Sequence, residues 1–128
     1  MAGKSLAGTL LIGPGTSLWF SPIEWLWILG PLPPGVRTTG EFAAATVAVV
    51  FVSNAASVRW FLNEHRTVMT LPGAVWMCYP TRGRMDLNRG TLLTMVAGHS
   101  LQPVGEVAID ATWSAMRLRP IVRGRSGR

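Results

Sequence analysis

The side chains able to do acid–base or metal chemistry are few and scattered. Six acids stand at Glu24, Glu41, Glu64, Asp86, Glu106 and Asp110, and of these only Glu106 and Asp110 are close in sequence. On one strand those two would share a face about 13 Å apart, at ~3.3 Å per residue, too far for a simple carboxylate pair. His65 and His99 have no second ligand at metal spacing, and the adjacency of His99 and Ser100 makes no catalytic pair, because triads are assembled in space. Gly3-Lys4-Ser5 resembles the end of a phosphate-binding loop, but only two residues precede it, too few to build the cradle. Cys78 is the single cysteine and lies in the apolar run from Ala74 to Tyr79, so neither an internal disulfide nor a paired-cysteine zinc site can form. The pattern implies no catalytic residue, no metal site, no cofactor and no small-molecule substrate.

The arginines carry the remaining chemistry. Formal charge is +6, and the twelve basic residues are Lys4 and eleven arginines, whose planar forks suit phosphate. Arg117, Arg119, Arg123, Arg125 and Arg128 crowd the end of the chain, the last three among Gly124 and Gly127. That spacing predicts a flexible basic tail over 121–128. With Arg117 and Arg119 it would neutralise RNA phosphates without reading sequence, or serve only to keep the chain soluble. A second cluster, Arg82, Arg84 and Arg89 against Asp86, falls in the stretch between Pro80 and Gly90, which reads as a loop.

The elements that would position these groups read as short strands. A chain of 128 residues with 48% hydrophobic content is sized for one domain, taken here as 1–120. Nine prolines, six tryptophans and only 14% charged residues favour an all-β globule over a charged helical bundle. Strands are expected at Leu6 to Ile12, Thr46 to Val52, Ala74 to Tyr79, Gly90 to Val96 and from Glu106 onward, the last with a bulge near Ala115 where its alternation slips. The competing reading of that last segment is a helix, from the polar stripe Glu106, Asp110, Ser114 and Arg117. One short surface helix, Ala55 to Glu64, is expected behind Asn54 as N-cap, with Val58, Phe61 and Leu62 on one face. Trp19, Trp25 and Trp27 lack flanking basic residues, and are expected to fill a core or a subunit interface.

Mean hydropathy is +0.30, which raises a membrane alternative. Phe42 to Val58 is uncharged for 17 residues, at the lower limit for a spanning helix, but holds Ser53, Asn54 and Ser57. In that alternative the arginine-rich end would lie on the cytoplasmic side.

One resemblance runs through the chain. Gly90, Leu92, Gly98, Val104-Gly105-Glu106-Val107 and Pro120, with Gly8 to Gly15 and Thr38-Thr39-Gly40 upstream, resemble the jelly-roll shell domain of coat proteins of small icosahedral positive-strand RNA viruses, of sobemovirus-like and tombusvirus-like type. The resemblance implies a jelly-roll-like antiparallel β-sandwich and a structural protein without enzymatic activity. Copies would assemble into a virion shell, covering Trp19, Trp25 and Trp27 at subunit contacts. A basic N-terminal arm and acidic calcium ligands, usual in such coats, have no counterpart here.

Overall fold

The computed structural model describes residues 5–121. Their six strands form one sheet of mixed direction with helices packed on it: β1 (Ser17–Ser21), β2 (Arg37–Thr38), β3 (Val47–Phe51), β4 (Ala74–Pro80), β5 (Leu101–Ala108) and β6 (Trp113–Pro120), in the order β2-β1-β3-β4-β6-β5. The pairs β1–β2, β1–β3 and β3–β4 are parallel, whereas β6 runs antiparallel to both β4 and β5. An α/β architecture thus replaces the expected all-β jelly-roll sandwich.

The parallel centre follows from composition. All residues of β3 (VAVVF) and β4 (AVWMCYP) are buried, as strands covered on both faces require. Alternate side chains feed two cores. Ala48 and Val50 of β3, with Val75, Met77 and Tyr79 of β4, face helices α2 (Ala55–Glu64) and α3 (Arg89–Ala97). Val47, Val49 and Phe51, with Ala74, Trp76 and Cys78, face the short helix α1 (Leu6–Thr9) and a 3₁₀ segment, Ile23–Leu29. Val58, Phe61 and Leu62 are at most 1% exposed, and each such side chain contributes about 1.5–3 kcal/mol relative to an exposed position.

Helix α2 starts where the sequence predicts. Asn54 Oδ1 accepts from the Ser57 amide at 2.8 Å, Ser57 Oγ accepts in return from the Asn54 amide at 3.3 Å, and the Asp86 carboxylate accepts from the Ala55 amide at 2.9 Å.

Three strand expectations fail for identifiable reasons. Leu6 to Ile12 begins as α1, capped by Ser5. Gly90 to Val96 lies in α3, where Asn88 Oδ1 accepts from the Thr91 amide at 2.9 Å and Leu92 and Val96, four apart, both pack inward. The long final strand is instead the hairpin β5–β6, turned at 109–112, and the register shift falls between Pro103 and Gly105 rather than near Ala115. The slipping parity has another cause: both faces of β6 are buried, Trp113 and Ala115 toward one core and Met116 and Leu118 toward the other. The uncharged stretch Phe42 to Val58 is divided among a 3₁₀ turn, β3 and the start of α2, and among the described residues no helix is long and apolar enough to cross a membrane.

Candidate functional site

In doubly wound sheets the ligand crevice opens outside the carboxyl ends of the parallel strands, where consecutive connections leave in opposite directions. Here that point is β1: the chain goes from β1 outward to β2 on one side, then returns to β3 on the other. A cleft of about 480 Å³ opens at the carboxyl ends of β1 and β2, lined by residues 19–24 and 38–40. Trp19 forms its apolar floor, held edge-on against Phe42 at 5.3 Å and His65 at 5.1 Å between ring centroids. Ser21, Thr38 and Thr39 supply hydroxyls, and the Thr39 Oγ1 also accepts from the Glu41 amide at 3.1 Å. Glu24 supplies the cleft's one carboxylate, and among the described lining residues there is no lysine or arginine.

The turn leaving β1 reads Ser21-Pro22-Ile23-Glu24 and passes into the 3₁₀ segment. It carries none of the glycines that let a backbone approach a diphosphate in dinucleotide-binding turns.

Behind the cleft, His65 stacks on Phe42 at 4.4 Å between centroids, and its Nε2 has no hydrogen-bond partner. Burial among these rings holds its pKa below the usual 6.5, against the opposing pull of Glu64.

Farther along the same edge, Tyr79 donates to Glu106 at 2.6 Å, and Arg89 pairs with the same carboxylate in a fork. The Arg89 hydrogen bonds hold Glu106 below the usual carboxylate range, and Tyr79 is pushed up to about 12, first by burial and then by its bond to Glu106. This network ties β4, β5 and α3 together. Asp110, the expected neighbour of Glu106, instead accepts from the Thr112 and Trp113 amides, both at 2.8 Å, and sets the β5–β6 turn.

Of the residues singled out for RNA, Arg117 and Arg119 lie toward the amino-edge end of β6, away from the cleft. Arg117 Nη2 donates to the Gly73 carbonyl at 3.2 Å, and Arg119 is exposed. Arg123, Arg125 and Arg128 lie outside the described residues. The three tryptophans separate: Trp19 is core, Trp25 packs on Phe51 and Trp113 at 5.5 and 5.6 Å, and Trp27 is 75% exposed. Cys78 is fully buried and its thiol pKa is raised by that burial, so it is inert. Among the described residues no three metal-binding side chains come together.

No family model and no curated protein matches the chain. Solved structures do. A protein of the NADB-Rossmann superfamily from Streptococcus agalactiae matches with a TM-score of 0.57 at 12% identity, over 98% of this chain and 72% of that one. A candidate tRNA (m1A22) methyltransferase from Streptococcus pneumoniae matches with a TM-score of 0.54 at 14% identity, over 98% and 73%. The same protein in complex with S-adenosyl-L-methionine gives 0.53 at 14%, over 98% and 76%.

The fold is Rossmann-like. This overturns the coat-protein resemblance, because a parallel core sheet flanked by helices cannot be a jelly-roll shell domain. The self-assembling shell follows from that resemblance, the RNA contact from the arginine spacing, and the absence of enzymatic activity and of a small-molecule substrate from the scattered acids and histidines. They too are corrected: the matched folds include an enzyme candidate and a complex with a small molecule. The membrane alternative is not supported by any described helix.

Glu24, Ser21, Thr38 and Thr39 were not singled out as site residues from sequence. The one available signal was a turn directly after an aromatic strand, at Ser21-Pro22.

Proposed function

We propose that the protein is a small-molecule-binding enzyme of methyltransferase type, whose β1–β2 cleft takes S-adenosylmethionine. The observation that carries this reading is the charge of the cleft: one carboxylate, three hydroxyls, an indole floor and, among its described lining residues, no cation. A pyrophosphate would find neither a glycine turn nor a positive side chain there. A sulfonium nucleoside is cationic and requires neither. Glu24 would face the positive sulfonium, the hydroxyls of Ser21, Thr38 and Thr39 would hydrogen-bond the ribose and amino-acid parts, and Trp19 would give the adenine an apolar surface. A volume of about 480 Å³ falls within the range of small-ligand pockets. When bound, the nucleoside supplies an electrophilic methyl group; the chain's part is to orient it and to keep water from the Trp19 side.

Isothermal titration tests this. S-adenosylmethionine should bind more tightly than S-adenosylhomocysteine, which lacks the sulfonium charge, by about fivefold, the worth of one carboxylate–cation contact at ~4 Å in water. Glu24→Gln should abolish that preference while leaving S-adenosylhomocysteine affinity within about twofold. Equal affinity of the wild type for the two nucleosides, or tighter binding of NADH than of either, refutes the reading.

A further inference from the structure

We infer that a second recess on the carboxyl edge of the sheet binds the phosphate of a small phosphorylated acceptor substrate. It lies between the loop after β4 and the β5–β6 turn, has a volume of about 340 Å³, and is lined by Pro80, Arg82, Gly83, Arg84, Ala111 and Thr112. Its assignment to an acceptor rests on the methyltransferase reading of the cleft; its assignment to phosphate rests on its own residues.

Two guanidinium groups border it, and among the described residues neither Arg82 nor Arg84 takes part in an ion pair, whereas Arg89 is engaged with Glu106. Two arginines lining one hollow can bind a phosphate dianion by charge-assisted hydrogen bonds from their planar forks. Thr112 adds a hydroxyl at the rim, and Thr81 Oγ1 and Ser114 Oγ sit 2.8 Å apart beside it.

The nearby acids are turned to other work. Asp86 caps the Ala55 amide, and Asp110 takes the Thr112 and Trp113 amides.

The recess is held in shape before any ligand arrives. Arg84 and Leu87 exchange backbone hydrogen bonds of 2.8 and 2.9 Å, and Leu87 is buried at 1% exposure. Gly83 adopts φ +79°, and a Cβ there would stand 3.2 Å from the Cβ of Asn88, so a side chain would be strained in this backbone and would crowd Asn88. The Arg84 guanidinium lies 5.7 Å over the Trp113 ring, which fixes its direction. Ordering the loop backbone and Arg84 in advance lowers the entropy lost on binding.

A discrete phosphate fits better than a polyanion track. The other described arginines are dispersed or engaged: Arg37 on the edge strand β2, Arg59 and Arg66 on and just beyond α2, Arg89 in its pair with Glu106, and Arg117 and Arg119 toward the opposite end of β6. Location supports the acceptor. Only β3 separates β1 from β4, so their carboxyl ends stand about 10 Å apart at ~4.8 Å per strand, a span of nucleotide size. Trp25, Phe51 and Trp113 pack ring to ring between the two openings, so the cleft and the recess are set on one rigid support.

The test is an amide NMR titration of the full chain with phenyl phosphate, without any nucleoside. Shifts are expected at Gly83, Ala111 and Thr112. Arg82→Gln and Arg84→Gln should each weaken binding about tenfold or more, the loss of a hydrogen bond to a charged group, and Arg119→Gln should leave it unchanged. Shifts centred elsewhere, unchanged affinity in both recess variants, or an equal loss in Arg119→Gln overturns the assignment. So does a 20-nucleotide RNA binding more than tenfold tighter than phenyl phosphate through the same two arginines, which would make the recess a polymer contact. Because no nucleoside is present, failure of S-adenosylmethionine to bind in a separate titration counts against the cleft and leaves the phosphate result standing.

Discussion

Asp86 is the residue through which a loop and a helix hold each other. Its carboxylate accepts from the Ala55 amide at 2.9 Å, thirty-one residues away in sequence, and so caps α2 from outside the helix. Asp86→Ala leaves that amide without its partner, costing about 1 kcal/mol as a lost cap. It also removes a negative charge from the positive end of the helix, worth about 0.3–1 kcal/mol. The sum is about 1.5 kcal/mol. For a chain of this length, at about 4 °C per kcal/mol, the melting temperature should fall by about 6 °C. Asp86→Asn retains an acceptor and loses only the charge, so its expected drop is about 2 °C. Thermal melts followed by circular dichroism at low salt measure both. Hydrogen exchange at the Ala55 amide should quicken in Asp86→Ala more than exchange at Phe61. A melting temperature for Asp86→Ala within 1 °C of the wild type, or equal losses in the two variants, would refute the capping argument, and with it the claim that the Arg82–Arg84 loop is held in place from α2.

Two further outcomes follow from packing and protonation. In α3, Leu92 and Val96 point into the core while Thr94 is exposed. Leu92→Ala should therefore cost about 3 kcal/mol in urea unfolding and Thr94→Ala less than about 0.5; comparable losses at 92 and 94, as two residues on one strand face would give, would contradict the helix. His65 has a folded pKa below its ordinary value because burial disfavours the imidazolium. Its contribution is complete above the unfolded pKa of about 6.5 and is lost as pH falls through the lower folded value. Unfolding free energy should decline from pH 7.5 to pH 5.5, less steeply in His65→Phe, and parallel curves for the two proteins would remove His65 as the cause.

Local signals fixed what lies close along the chain. The β-branched run from Val47 to Val52 and the Asn54 cap with its Val58, Phe61, Leu62 face lead directly to β3 and α2, because burial on both faces and an N-terminal cap are written in neighbouring residues. The short elements were not so written. Residues 90–96 form a short apolar run that suits a buried strand as well as a helix, and only the Asn88 cap and the docking of Leu92 and Val96 against the sheet select the helix. The last segment departs from its sequence pattern because β6 is inserted between β4 and β5, and a strand buried on both faces loses the polar alternation that marks a sheet surface. Fold class depended on that insertion and on the parallel pairing of β1, β3 and β4, both matters of long-range order. The cleft depended on it too: Glu24 and Thr38 to Gly40 are fourteen or more residues apart and meet only because β2 lies beside β1. The sequence on its own determined which residues must be buried and where one helix begins; the tertiary structure decided which strands are neighbours, and through that which polar groups share a site.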